Sequence, residues 1–330
     1  MKSKILRRII YSILLVLILF VLVLGSPRTI SYLFPQRLPI GYYYDEIALM
    51  AVGLGFEQLA DLSPDVPSSI TAYKDLEYKN INGKSLQLDI YKPADSIEPL
   101  PLLVFIHGGS WKGGKRSDYL VYLLKFAGMG YATATVSYRL LSDGLYPAAI
   151  EDVCDAVKWL ADQGKQFGYD PTKIALIGGS AGAHLAMLAG YGWSGSGNDM
   201  PPEFNLVGRH HIKAVVNIYG PADLTTEYAR NQPLVENFLG HSYSENSEVY
   251  KMASPVIWLN PDSPPTLIFH GTSDRLVPVS QSDFLKEKLD SLDVANEYYR
   301  LPFWPHVMDV SQRVNDFMVE RMDKFFKKYL

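Results

Sequence analysis

Three residue types needed for acyl transfer lie far apart in this chain: a serine set among glycines, an aspartate near residue 274 and a histidine near residue 306. The serine is Ser180, in Gly178-Gly179-Ser180-Ala181-Gly182, after the apolar run Ile174-Ala175-Leu176-Ile177 and before a stretch of small and apolar residues. A serine hydroxyl becomes a useful nucleophile when a neighbouring base takes its proton. Glycines on both sides fit a crowded strand-to-helix elbow, where side chains would collide and the serine adopts a strained conformation.

A second segment, Val104-Phe105-Ile106-His107-Gly108-Gly109-Ser110-Trp111, also ends an apolar strand pattern. Attack on an acyl carbon generates an oxyanion, and one pre-aimed N–H donor stabilises it by roughly 3–4 kcal/mol. The amides of Gly108, Gly109 and Ala181 are the candidates for that oxyanion hole. Trp111 beside the loop is read as shaping the acyl pocket, with a core position the competing reading; His107 is read as holding the loop.

Seven histidines compete for the role of base. His107 and His184 belong to the loop and the helix just described, His210 and His211 start a strand pattern, His241 lies in an insertion, and His270 ends a strand. His306, in Phe303-Trp304-Pro305-His306-Val307, follows the last strand pattern, where a loop can carry it over the elbow. Its orienting carboxylate is read as Asp274, just past a buried strand, with Asp223 as the rival acid or a helix cap. The chain order Ser180, Asp274, His306 is that of an α/β hydrolase. This chemistry requires no metal and no organic cofactor.

The elements that position these residues are legible as an α/β pattern. Asn82-Gly83 marks a hairpin turn. Buried strands are expected at 102–106, 132–136, 174–177, 214–218 and 266–269, with an edge strand at 297–301 and helices at 119–127, 148–167, 181–189, 280–289 and 310–329. Residues 191–211 and 221–264 are too long for simple connections and are read as cap segments. The catalytic domain is expected to span 71–330, after a membrane-proximal linker with short helices over 27–70.

Residues 1–26 carry Lys2, Lys4, Arg7 and Arg8 before an apolar run from Ile9 to Gly25. This is read as a signal-anchor, with a cleaved signal peptide as the alternative. Either places the catalytic domain outside the cytoplasm, membrane-anchored or secreted. The 330 residues are 48% hydrophobic and 20% charged, enough apolar material for a large core. The net charge is −4, and four of the basic residues sit in the leader. Nucleic acid is therefore excluded as a partner. The only cysteine, Cys154, allows no intramolecular disulfide and falls at a core position of a helix pattern.

From about residue 73 onward the chain resembles serine esterases of the α/β-hydrolase superfamily, in the feruloyl-esterase-like, hormone-sensitive-lipase-like and kynurenine-formamidase-like group. The motifs that carry the resemblance are His107-Gly108-Gly109-Ser110-Trp111, Ser137-Tyr138-Arg139-Leu140, Tyr146-Pro147-Ala148-Ala149, Glu151-Asp152-Val153, the serine elbow, and the Asp274 and His306 segments. It implies a mostly parallel twisted sheet with helices on both faces. It also implies a structural pairing of Arg139 with Asp152 and hydrolysis of a small-molecule carboxylic ester through an acyl-enzyme. An arylformamidase or small peptidase using the same triad is the alternative, and a catalytically silent binding protein a more distant one. His-Gly-Gly-Ser-Trp replaces the His-Gly-Gly-Gly of many lipase-like members, and Pro305-His306 stands where many relatives have Gly-His.

Overall fold

The computed structural model describes residues 2–330 apart from 35–36, 43, 97–98 and 193–210. An N-terminal helix α1 (Lys2–Leu33) and a short α2 (Asp45–Gly53) precede the sheet. Strands β1 (Ile70–Ile81) and β2 (Lys84–Pro93) then form the hairpin expected at Asn82-Gly83. Both turn residues have positive φ, 51° and 84°, as a two-residue turn of matching twist requires.

Six further strands follow: β3 (Leu100–Ile106), β4 (Ala132–Val136), β5 (Tyr169–Gly179), β6 (Ile212–Ile218), β7 (Thr266–Gly271) and β8 (Asn296–Leu301). The sheet order is β1-β2-β4-β3-β5-β6-β7-β8. Every pairing from β4 to β8 is parallel, and β8 is the expected edge strand. Side chains alternate across this sheet, as strand geometry dictates. Leu102, Val104 and Ile106 join one apolar layer, while Leu103 and Phe105 join the other. The first layer is covered by α4 (Ala148–Phe167), α5 (Ala181–Gly192) and α9 (Ser280–Ser291). The second is covered by α3 (Leu120–Gly128) and α10 (Gln312–Tyr329). Cys154 is buried in the first layer.

The insertion at 221–264 carries α6 (Glu227–Arg230), α7 (Pro233–Leu239) and α8 (Ser247–Met252). The first cap segment, 191–211, falls from 193 to 210 outside the described residues.

The leader helix continues seven residues past the expected boundary at residue 26 and runs through Pro27. Proline has no N–H to give to the carbonyl four residues back. Ser26 Oγ donates to that Val23 carbonyl at 3.3 Å instead. Residues Arg7–Leu33 are long and apolar enough to cross a membrane, and the side chains of residues 9–23 are exposed. From Leu24 the helix touches the body: Leu24 is buried with Tyr42 and Ala51, and Tyr42 Oη donates to the Leu24 carbonyl.

Candidate active site

The segments that follow β3, β5, β6, β7 and β8 converge on Ser180. It follows β5 directly, with φ at 54°, and its amide donates to the Ile218 carbonyl of β6 at 2.9 Å. The flanking glycines are required by proximity. A Cβ on Gly182 would lie 2.0 Å from the Ile106 carbonyl oxygen, and one on Gly178 2.3 Å from the backbone of Gly182. Helix α5 can therefore start immediately beneath the strand end, and only glycine fits there.

His306 reaches the serine from the loop after β8, with Nε2 3.0 Å from Ser180 Oγ. Its Nδ1 lies 2.6 Å from Asp274 Oδ2. Because Asp274 accepts, Nδ1 carries the proton and the Nε2 lone pair faces the serine hydroxyl. The other Asp274 oxygen accepts from the amides of Leu276 and Val277, each at 2.9 Å. Burial pushes the Asp274 carboxyl up, but hydrogen bonding to His270 and His306 overcomes this and holds it at about 2. It is thus ionised at neutral pH. Asp223 is not in this array: its Oδ1 accepts from the Thr225 amide and hydroxyl in a local turn.

The three expected residues therefore meet, and the structure adds three that sequence reasoning did not single out for the site. His270 lies with Nε2 2.9 Å from the Val277 carbonyl and 3.3 Å from Asp274 Oδ2. The carbonyl can only accept, so Nε2 carries the proton and leans it on the same carboxylate. Tyr219, at the end of β6, packs its ring 4.6 Å from the His306 imidazole and donates its hydroxyl to Asp309, three residues beyond the histidine. Burial, and then the Asp309 charge, push the tyrosine well above its usual range; burial also raises Asp309. The pair ties the histidine loop to the centre of the sheet. The available sequence signal was position alone: Tyr219 ends a strand and Asp309 shares the histidine loop.

Gly108 crosses directly above the elbow, where a Cβ would sit 2.7 Å from the Gly179 carbonyl oxygen and 3.5 Å from Ser180 Cβ. Among the described residues, neither the Gly108 nor the Gly109 amide donates to a backbone carbonyl. Ala181 opens α5, so its amide is one that the helix leaves unpaired. His107 lies beneath the loop, stacked 4.3 Å from Tyr138, and burial lowers its pKa. Arg139 Nε meets the fully buried Asp152 at 2.7 Å, with Lys79 on the carboxylate's other oxygen, a structural pairing away from the serine.

Ser180 lies between two unequal spaces. On the His306 side is a cleft of about 540 Å³, lined among others by Leu62, Asp118, Tyr119, Tyr219 and Asp309. On the other side is a narrow space of about 20 Å³ between Trp111, Ala181, Tyr228, Leu234 and Val235. Trp111 is buried, stacked 4.2 Å from Phe238 of α7. Trp111 thus sits in the core while lining this space, and the 221–264 insertion supplies the far wall.

The loop carrying His306 is also held by the N-terminal region. Gly41 donates to the Pro302 carbonyl at 2.8 Å, Trp304 Nε1 to the Pro39 carbonyl at 3.0 Å, and Ala60 to the Val310 carbonyl at 2.8 Å. Buried Glu57 accepts from Ser311 Oγ at 2.7 Å and pairs with Arg313 at 2.5 Å. Residues 39–62 thus form a collar around the histidine loop.

This combination of sheet order, elbow and strand-end loops is that of an α/β hydrolase. The chain belongs to the BD-FAE family, whose model matches residues 88–289. It is similar to Esterase LipQ of Mycobacterium tuberculosis, 32% identical over 72% of this chain and 58% of that protein. It is also similar to Esterase LipC of the same organism, 32% identical over 68% of this chain and 57% of the relative. The chain thus spans a little over half the length of these curated relatives. Among solved structures, esterase 2 of Thermogutta terrifontis phosphoramylated by tabun superposes with a TM-score of 0.66 at 25% identity, over 80% of this chain and 96% of that one.

Proposed function

We propose that this protein is a serine esterase that hydrolyses small carboxylic esters through an acyl-enzyme. The observation that carries the reading is the continuous hydrogen-bond line from Ser180 Oγ to His306 Nε2 and from His306 Nδ1 to Asp274. Ser180 attacks the acyl carbon as His306 takes its proton, and Asp274 holds the imidazole in the required tautomer and stabilises its protonated form. The amides of Gly108, Gly109 and Ala181 receive the oxyanion. His306 then protonates the leaving alcohol and activates the water that releases the acid.

The histidine lines the large cleft, so the alcohol departs into it and the acyl group occupies the narrow space beside Trp111. Short acyl chains are therefore preferred over long ones. The esterase names of the relatives favour esters over formamides and peptides. We further propose that residues 71–330 are the catalytic unit, that 27–70 is a membrane-proximal linker with short helices, and that α1 spans a membrane uncleaved with the catalytic unit outside the cytoplasm. Burial of Leu24 and the Tyr42 bond to its carbonyl support retention of the helix.

The test is hydrolysis of p-nitrophenyl acetate, butyrate and decanoate and of an N-formyl arylamine by the detergent-solubilised full chain. Acetate or butyrate should be fastest and decanoate slowest. A faster formamide than ester would replace the reading with an arylformamidase.

A further inference from the structure

We propose that a phosphate-binding site for an anionic lipid headgroup lies where α1 leaves its apolar run, with Arg28 and Arg37 as the two charges that hold it. The proposal rests on the reading of α1 as a membrane span. A pocket of about 350 Å³ opens there, lined among others by Arg28, Ser31, Tyr32, Arg37 and Arg313. Arg28 is three residues beyond Gly25, so at the rise of a helix it stands about 5 Å past the end of the apolar run, in the headgroup zone of a bilayer. Ser31 and Tyr32 follow at the three- and four-residue spacing that shares a helix face. The exposed rings of Tyr32 and Phe34 suit the same depth.

The charge balance separates these two arginines from their neighbours. Arg313 also lines the pocket, but Glu57 neutralises it at 2.5 Å. Asp316 and Glu320 are the acids in the wall, and each already holds a lysine, Lys125 at 2.7 Å and Lys324 at 2.5 Å. Among the described residues, neither Arg28 nor Arg37 has a carboxylate within ion-pair distance. Arg28 gives one N–H to the Gly55 carbonyl at 3.2 Å, and Arg37 lies over the Phe34 ring at 4.5 Å. Both keep donors free for a phosphate, which a guanidinium meets with two parallel hydrogen bonds. Ser31 Oγ accepts from Arg313 at 2.7 Å, so its own hydrogen can be given to the same ligand. A pair of guanidinium groups at headgroup depth meets the phosphate of an anionic lipid in this way, through charge-assisted paired hydrogen bonds.

Full-length protein in a neutral detergent is titrated with dihexanoyl phosphatidylglycerol, dihexanoyl phosphatidylcholine and inorganic phosphate, with thermal midpoint and native mass spectrometry as readouts. Phosphatidylglycerol should bind and raise the midpoint, and R28Q/R37Q should weaken its binding on the order of tenfold or more. Esterase activity on a soluble ester should be unchanged in that variant, showing that it folds. Inorganic phosphate binding that is sensitive to the same variant, without a lipid response, would keep the pocket and assign it to a free phosphate. Equal binding of the two lipids, or binding indifferent to R28Q/R37Q, overturns the proposal. Alkaline extraction of the chain from vesicles tests the spanning reading separately, because the phosphate arm reads the pocket whether or not α1 spans.

Discussion

Ser180 and His306 meet at 3.0 Å, yet the two residues are held there by different means. The serine is fixed by close backbone approaches among its immediate neighbours and two central strands, as the contacts at Gly178 and Gly182 show. The histidine sits on an irregular loop after an edge strand and is held from outside: by Tyr219 and Asp309 on one side and by the 39–62 collar on the other. A nucleophile can thus be built into a short motif, whereas its base depends on parts of the chain more than two hundred residues away.

Ser180→Ala should lower kcat/KM on a soluble ester by on the order of 10⁶-fold and abolish labelling by a fluorophosphonate. Asp274→Asn should cost about 10⁴-fold through the wrong imidazole tautomer, whereas Asp223→Asn should leave kcat within a few-fold. If Asp223→Asn proved the more damaging, the carboxylate would have to be reassigned. Glu57→Ala touches no substrate, but it releases Arg313 and Ser311 beside the histidine loop. A displacement of about 1 Å there should lower kcat by roughly 10²-fold with little change in KM. Full kcat in Glu57→Ala would break the contrast between the two regions. Gly182→Ala probes the opposite region: its Cβ would meet the Ile106 carbonyl, an overpacking of about 1–3 kcal/mol, seen as a thermal midpoint roughly 3–10 °C lower.

The smallest effect concerns acid. Burial pushes His184, on α5, down to about 4, so the folded protein keeps it neutral. The unfolded chain takes up that proton near pH 6.5, so stability is unaffected above that pH and declines as the pH falls toward 4. Asp274 adds a second loss, because its carboxyl is held at about 2 when folded and protonates near pH 4 when unfolded. Urea midpoints at pH 7.5, 5.5 and 4.5 should fall in that order. A flat series between 7.5 and 5.5 would show that His184 is solvated.

The same division explains what was legible in the sequence. Alternating apolar runs gave β3 to β8 and their helices, because buried parallel strands and amphipathic helices write their periods locally. The elbow, the Gly108-Gly109 loop and the order of Ser180, Asp274 and His306 were readable for the same reason. His270 carries no such signal, because a strand-end histidine looks like core until its distance to a carboxylate is known. Tyr219 and Asp309 carry no motif, being joined only by the fold. Hydropathy stops at residue 26, but the helix goes on, its last turns held by Arg28 donating to the Gly55 carbonyl and by Arg313 donating to the Pro27 carbonyl and to Ser31 Oγ. The collar carries no sequence signal because its contacts, backbone carbonyls and the Glu57 carboxylate against Ser311 and Arg313, join residues more than two hundred positions apart, which no spacing encodes.

The collar also imposes an order in time. Chains fold as they are made, from the amino end, so residues 39–62 are synthesised well before their partners at 302–313. Ser180 can settle into its elbow while the loop bearing its base is still inside the ribosome. The nascent chain is therefore expected to carry an assembled but idle serine until α10 docks, and to begin turning over substrate only when the collar and the histidine loop have met.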